Sequence, residues 1–307
     1  MCTAESPQNS RSVGPSREMP FHGQVDLHCH SSCSDGILSP AALVSRAKAN
    51  GVEVLALTDH DTCAGIAEAV AAGAGLGVEV IAGIEVSVAW GKRQLHVLGL
   101  GVDPEHPSME ALVQAQRRRR EARAEIIAQR LEKRGFHGAL AGARAQMEEG
   151  AEVLARPHFA RWLVAAGHVD SATRAFKKLL GPGKIGDVKP DWPELAEVVE
   201  LLHECGGLAV LAHPLKYGFT RTVLRRLLSA FEECGGDAVE VVCGQQTPVQ
   251  TRDLAAMAVE AGLAGSIGSD FHTPGQPWAE LGIARMPDGV EPVWNLWQNG
   301  RPIRPVR

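Results

Sequence analysis

His28 and His30 stand two apart in Asp26-Leu27-His28-Cys29-His30, at the end of a short apolar run. Residues i and i+2 of a strand point the same way, so the two imidazoles share one face. A single pair of this kind is more often structural than a metal site. Here, however, the pattern repeats. Asp35 follows in Ser34-Asp35-Gly36, and Thr58-Asp59-His60-Asp61 closes a second run. Glu85 ends a third, in Gly83-Ile84-Glu85-Val86-Ser87, and His96 lies within a fourth. Ala212-His213-Pro214 and Gly268-Ser269-Asp270-Phe271-His272 close two later ones.

His28, His30, Asp35, His60, Glu85, His96, His213, Asp270 and His272 are more donors than one ion uses, so several divalent cations are expected. Imidazole mixed with carboxylate, without thiolate, suits Zn, Mn or Fe rather than Ca or a structural cysteine–zinc site. Such a cluster lowers the pKa of bound water and clamps the attacking and leaving oxygens of a phosphoryl group, which makes hydrolysis of a phosphate ester the expected reaction. The bland alternative would gather nine such groups at strand ends for packing alone, yet buried imidazoles and acids need partners. Asp26, Asp59 and Asp61 read as orienting or loop acids beside the donors, with Asp59 also a candidate to handle protons. Cys29 alternates to the opposite face and reads as core. His22, His106, His137, His168 and His203 have no motif around them.

What must position these groups is an alternation of β-branched runs and Ala-rich stretches from Val25 onward, the signature of βα units. The runs predict strands at 25–29, 52–58, 78–84, 95–100, 208–212, 238–242, 265–268 and 281–284, with helices at 40–49, 65–75, 193–205, 222–234 and 251–261. Seven or eight repeats, roughly, predict a barrel, with its functional rim where the strands end. Between Leu100 and Leu208 the alternation stops and helices are expected at 109–134, 139–149, 157–166 and 171–180. This segment, 106–190, reads as an inserted helical cap over the rim, and 24–105 with 191–300 as the barrel domain. The Arg117-Arg118-Arg119-Arg120 run, continued by Arg123, Arg130 and Arg134, reads as a solvated helix face paired with Glu121 and Glu125, or in part as a phosphate funnel.

A chain of 307 residues, 45% hydrophobic and 22% charged, is long enough for a sizeable core. It has no apolar run approaching the ~18–20 residues of a membrane span. A net charge of −5 argues against bulk electrostatic binding of nucleic acid, so any anionic ligand needs local cations. The seven cysteines, Cys2, Cys29, Cys33, Cys63, Cys205, Cys234 and Cys243, form neither a zinc pattern nor a disulfide framework, which fits a reducing cytoplasm. Residues 1–23 lack the apolar centre of a signal peptide and read as a disordered leader. No dinucleotide-binding glycine fingerprint follows a strand.

The motifs His28-Cys29-His30, Thr58-Asp59-His60-Asp61, Ala212-His213-Pro214 and Ser269-Asp270-Phe271-His272, in that order, resemble those of the polymerase and histidinol phosphatase (PHP) family, over roughly residues 24–285. The resemblance implies an α/β fold, a distorted (β/α)7 barrel, with two to three divalent ions, manganese foremost and iron or zinc as alternatives. One ion would take His28, His30, Glu85 and Asp270, a second Glu85, His96 and His213, and a third Asp35, His60 and His272. Arg156-Pro157-His158-Phe159-Ala160 and the stretch from Ala175-Phe176 to Gly183-Lys184 resemble the branch that hydrolyses 3′,5′-nucleoside bisphosphates and trims short RNA from its 5′ end. By that likeness Arg156 and His158 would bind the phosphate that is not cleaved, with Lys177, Lys178 or Lys184 nearby. Where that branch commonly has an aromatic residue, this chain has Gly186-Asp187-Val188, a departure that could shift substrate preference.

The expectation is therefore a metal-dependent phosphatase that takes the 3′-phosphate from a small nucleotide substrate, with His213, His272 or Asp59 assisting proton transfer. The alternatives are a 5′-to-3′ exonuclease on short RNA, a phosphatase of histidinol phosphate or another small monoester, and a non-catalytic metal-binding regulatory module. No membrane and no stable protein partner is implied.

Overall fold

A computed structural model of the protein describes residues 24–298. The expected leader at 1–23 lies outside them. The elements in order are β1 (Gln24–Cys29), α1 (Pro40–Ala49), β2 (Val52–Leu57), α2 (Ile66–Leu76), β3 (Glu79–Trp90) and β4 (Arg93–Leu100). Then come α3 (Pro107–Glu132), α4 (Ala139–Arg144), α5 (Arg156–Ala165), α6 (Ala172–Ala175), a π turn (Phe176–Leu180), α7 (Leu195–Glu204) and β5 (Leu208–Leu211). After a 3-10 turn (Pro214–Tyr217) follow α8 (Arg221–Glu233), β6 (Ala238–Cys243), α9 (Pro248–Glu260), β7 (Ala264–Gly268) and two further 3-10 turns among the described residues. None of the described helices is long and apolar enough to cross a membrane.

The seven strands lie side by side in chain order. Beyond β7 the chain returns to β1: the Asp270 amide donates to the His28 carbonyl at 2.8 Å and the His30 amide to the Phe271 carbonyl at 2.9 Å. The sheet thereby nearly closes as a seven-stranded barrel, with helices around it. Its core is built from buried apolar positions such as Leu27, Ile84, Val97, Val210 and Ile267, clustered with residues of the surrounding helices such as Leu202 and Leu227.

Two strand expectations need correction. β3 does not stop near Glu85 but continues to Trp90 and turns back through Gly91 into β4, which is antiparallel to both β3 and β5. Ile84, Val86 and Val88 are buried at a spacing of two, the period that carries the strand onward. Because β4 runs backward, its beginning lies at the rim where the parallel strands end, which is how His96 arrives there. Residues 281–284 form no strand: Gly282 sits at φ +73° and its amide donates to Asp26 Oδ2 at 2.8 Å. Leu281 supplies the hydrophobic signal by packing against the cluster of Leu43, Leu55 and Phe271. A third correction concerns 171–180, where four residues of α-helix give way to the π turn closed by the Gly181 amide on the Phe176 carbonyl, 2.8 Å.

The helices α3–α6 pack on a cluster of their own, centred on Leu131, Phe159 and Leu163. α3 belongs to both bodies, since Met109 and Leu112 join the barrel core. The arginine run is accordingly not a uniformly solvated face. Arg120 and Arg123 are buried. Arg120 Nε donates to Asp61 Oδ2 at 2.5 Å, and Gln116 Nε2 donates to Asp61 Oδ1 at 2.9 Å. Arg123 Nε donates to the Val188 carbonyl at 3.0 Å, tying α3 to the returning chain.

Burial alone would raise the Asp61 carboxyl, but the Arg120 guanidinium and the Ser87 amide hold it below the usual range. A depressed carboxyl stabilises the fold above its unfolded value, near pH 4, and that contribution is lost as pH falls through the folded value. R120M, which strands the Asp61 charge, should destabilise by about 3–5 kcal/mol at neutral pH. Thermal melts at pH 7 and pH 3 check this: the gap between wild type and variant should narrow at the acid end.

Candidate metal centre and its cover

All nine donors read from the sequence meet at one end of the barrel. Glu85, fully buried on β3, is their centre. Its Oε1 lies 2.8 Å from His213 Nε2, 2.9 Å from His96 Nδ1 and 3.4 Å from His28 Nε2. Its Oε2 lies 2.8 Å from His60 Nδ1 and 3.3 Å from His30 Nε2. Asp270 Oδ1 lies 3.1 Å from His30 Nε2, and Asp35 Oδ1 lies 3.3 Å from His272 Nε2. Five groupings of mutually close donor atoms result: His30, Asp35, His60 and His272; His28, His30 and Asp270; His28, Glu85 and His213; His60, Glu85 and His96; and, behind His28, His28 with Glu240 and Cys243.

The electrostatics follow from burial opposed by contact. Burial would raise the Glu85 carboxyl, yet His60, His96, His28 and His213 hold it well below its ordinary range. Asp35 and Asp270 are likewise held down, Asp35 chiefly by His60 and His272 and Asp270 chiefly by Lys216 and His28. In return His272 is raised to about 9, burial opposing but Asp35 prevailing. His30 is pushed down to about 3 by burial and by His272 and His60.

These residues fit divalent cations. His28 Nε2 and His30 Nε2 face each other across 3.1 Å in a buried site. Glu85 Oε2 and Asp35 Oδ1 are buried and meet imidazole nitrogens without closing a hydrogen bond of good geometry. Converging nitrogen and oxygen lone pairs of this kind call for a shared cation, and imidazole with carboxylate is a donor set for Zn, Mn or Fe.

Three rim residues, Asp61, His213 and Asp270, are the described non-glycine residues with positive φ. His213 precedes Pro214, which ordinarily drives a residue toward extended backbone, so its φ of 30° is held by the surroundings. Gly268 is needed for closure: a Cβ there would come within 2.4 Å of His28 Cβ.

One functional residue escaped the sequence reading. Glu240, fully buried on β6, lies 3.0 Å from His28 Nδ1 and accepts the His213 amide at 2.7 Å. With a proton on Nδ1, the Nε2 lone pair of His28 faces the rim. The available signal was a single acid in the otherwise apolar Ala238-Val239-Glu240-Val241-Val242. Asp26 braces β7 against β1, accepting the amides of Ser269 and Gly282, and burial pushes its carboxyl up to about 6.

Other expected residues are distributed unevenly. Asp59 lies outside these donor groupings, with its carboxylate accepting from Ser31 N at 2.7 Å and from Ser31 Oγ and Ser34 Oγ at 2.5 Å each. It therefore holds the loop that carries Asp35. His272 lines a cleft of about 560 Å³ between the barrel loops and the helical cover, with Asp35, Asp270, Pro157 and Arg161. His213 lines a smaller neighbouring pocket. Arg156 is partly buried at the start of α5, its Nη1 donating to the Leu180 carbonyl at 3.3 Å, and burial lowers its pKa. His158 is buried, and its Nδ1 accepts the Ala155 amide at 3.0 Å; burial and Arg161 push it down to about 4, which leaves a neutral ring with its proton on Nε2. Lys177, Lys178 and Lys184 are exposed and lie outside the cleft. The lysine that does line it is Lys216, paired with Asp270 Oδ2.

The chain is 47% identical to a 5′-3′ exoribonuclease of Haemophilus influenzae over 88% of this chain and 98% of that protein. It is 39% identical to a 3′,5′-nucleoside bisphosphate phosphatase of Chromobacterium violaceum over 92% of this chain and 99% of the relative. Among solved structures, an amidohydrolase from Chromobacterium violaceum, with bound sulfate and no metal, superposes with a TM-score of 0.84 at 39% identity, covering 90% of this chain and 96% of the other. Fold and donor set together define the class: a hydrolase of phosphate esters, built on a barrel rim furnished for divalent cations. Residues 26–204 match the PHP domain, and the chain belongs to the PHP family.

Because Glu240 meets His28 at Nδ1, the ring nitrogen opposite the one that faces Glu85 and Asp270, E240Q should fold yet bind manganese about 10- to 100-fold more weakly. Calorimetric titration of the metal-free protein measures it; unchanged affinity would remove Glu240 from this role.

Proposed function

We propose that the protein removes the 3′-phosphate from 3′,5′-nucleoside bisphosphates, yielding a nucleoside 5′-monophosphate and inorganic phosphate. Two to three divalent cations, manganese foremost, would be held by His28, His30, Glu85 and Asp270, by Glu85, His96 and His213, and by Asp35, His60 and His272. The observation that carries this reading is that the donor-rich rim, through Asp35, Asp270 and His272, and the cation Arg161 of α5 line one cleft, which suits a substrate bearing two anionic groups. When bound, the cations supply Lewis acidity, stabilising charge on the reacting phosphoryl group and making water a stronger acid.

The protein's own groups do the positioning. Glu240 fixes the tautomer of His28. His272 Nδ1 lies 2.9 Å from the Asp270 carbonyl, and its protonation leaves Nε2 toward Asp35. Lys216, paired with Asp270, holds that carboxylate in place at the edge of the cleft. Arg156 offers a guanidinium fork, and His158 an Nε2–H, to the phosphate that stays. His272 at the cleft and His213 beside it are within reach to move a proton to the leaving 3′-oxygen; Asp59, engaged with two serines, acts through the loop. The six described cysteines are free, which supports a cytoplasmic location.

A second reading, stepwise 5′-to-3′ trimming of short RNA, is favoured by the 47% identity to an exoribonuclease. It breaks the same P–O3′ bond and needs only room for a further nucleoside.

Adenosine 3′,5′-bisphosphate should release phosphate where adenosine 5′-monophosphate does not, with activity lost to chelators and restored by manganese. Equal rates on both nucleotides would defeat the proposal. R156M should raise KM for the bisphosphate about tenfold or more, with a smaller change in kcat, since a charge-assisted hydrogen bond is lost.

A further inference from the structure

The cleft beside the rim has two unlike walls. Pro157 and Arg161 of α5 and Phe176 of the π turn form one; Gln245, Gln276 and Trp278, from the loops after β6 and β7, form the other. Its volume of about 560 Å³ falls within the range of pockets that enclose a small ligand.

Trp278 is 55% exposed, although the backbone that presents it is firmly held. Its carbonyl accepts the Gln245 amide at 2.7 Å, and the Ala279 amide closes the turn on the Gln276 carbonyl at 2.9 Å. Gly244 packs so closely beneath that a Cβ there would come within 2.7 Å of the Trp278 carbonyl oxygen. A large ring left in water on a fixed frame, at the edge of a polar cleft, is suited to stacking against a flat ligand. Charge distinguishes the walls. Arg161 stands on the side of the cover, whereas the Trp278 wall carries no arginine, and the one lysine of the cleft is committed to Asp270.

We infer that Trp278 is the stacking platform for the nucleoside beyond the reacting phosphate, the second residue of a 5′-phosphorylated oligonucleotide. The inference rests on the hydrolytic reading above. In that reaction the oxygen of water bonds to phosphorus, the P–O3′ bond breaks and O3′ takes a proton. The first nucleotide leaves as a 5′-monophosphate and the second keeps its phosphate. A bisphosphate has nothing to lay on Trp278; a dinucleotide has a base.

W278A and W278F are compared on adenosine 3′,5′-bisphosphate and on 5′-phosphorylated diadenylate. W278A should lower kcat/KM for the dinucleotide about tenfold or more, mainly through KM, and leave the bisphosphate unchanged. W278F should retain most of the dinucleotide activity. Equal losses on both substrates would assign the first base to Trp278 and overturn the inference, as would no loss on either. Binding of the dinucleotide to the metal-free protein, followed by calorimetry, separates the two readings. If neither substrate is hydrolysed the hydrolytic reading fails, while weaker binding by W278A still supports the platform and equal binding defeats it.

Discussion

Three ionised carboxylates drawn into one barrel end set the terms for the rest of the molecule. A buried carboxylate without partners is too costly to keep charged, and Glu85 is fully buried. It stays charged because five imidazoles approach its two oxygens within 3.4 Å. The rings respond unequally. His28, His60 and His272 are raised by their acidic neighbours against the effect of burial, while His30 and His96 are pushed down to about 3 and 4. The rim thus gathers positive charge as protons on some rings, at the same lone pairs a divalent cation would use. Protons and metal compete for one set of atoms, so metal binding and pH are coupled through this cluster.

The scaffold reads as the means of holding that cluster. A donor set taken from six strands and the loops behind them converges only if the sheet closes, and closure depends on β7 lying against β1 at Gly268. Asp26 secures the same seam from below, receiving amides of Ser269 and Gly282. The left-handed backbone at Asp61, His213 and Asp270 is strain located at the rim, sustained by contacts such as the Asp61–Arg120 pair. Local preference is overruled where side chains must aim inward.

How legible this was depended on the kind of signal. Most of the nine rim donors could be read because they end or interrupt a short apolar run, Asp35 being the one in a polar loop, and strand alternation fixes which neighbours share a face. β1, β2 and α1 could be bounded for the same reason, each being flanked by a turn residue or a cap. Gly83 and Glu85 disguised the continuation of β3, since a glycine followed by an acid imitates a strand end; only the buried period of Val86 and Val88 exposes it. Leu281 imitated a strand because burial, not pairing, explains its hydrophobicity. Arg120 and Arg123 resembled solvated residues because the run of arginines hides a helical face, and the partners that bury them, Asp61 and Val188, are far away in sequence. Glu240 was hidden as one acid among valines, and Trp278 as a lone aromatic in a loop.

The relatives carry two different names, and the proposed reading accommodates both. Phosphatase and exonuclease cleave the same P–O3′ bond; they differ in what hangs from the phosphorus. α3 is rooted in the barrel core at Met109 and Leu112 and continues into the cluster around Leu131 and Phe159, so the cover is built as a continuation of the barrel. In the proposed reading the guanidiniums of Arg156 and Arg161 would bind the 5′-phosphate on that side. The loops after β6 and β7 impose no comparable charge on the opposite side. An anchored end and an open end are the arrangement expected of a site that measures its substrate from the 5′-phosphate and tolerates extension beyond the bond it breaks.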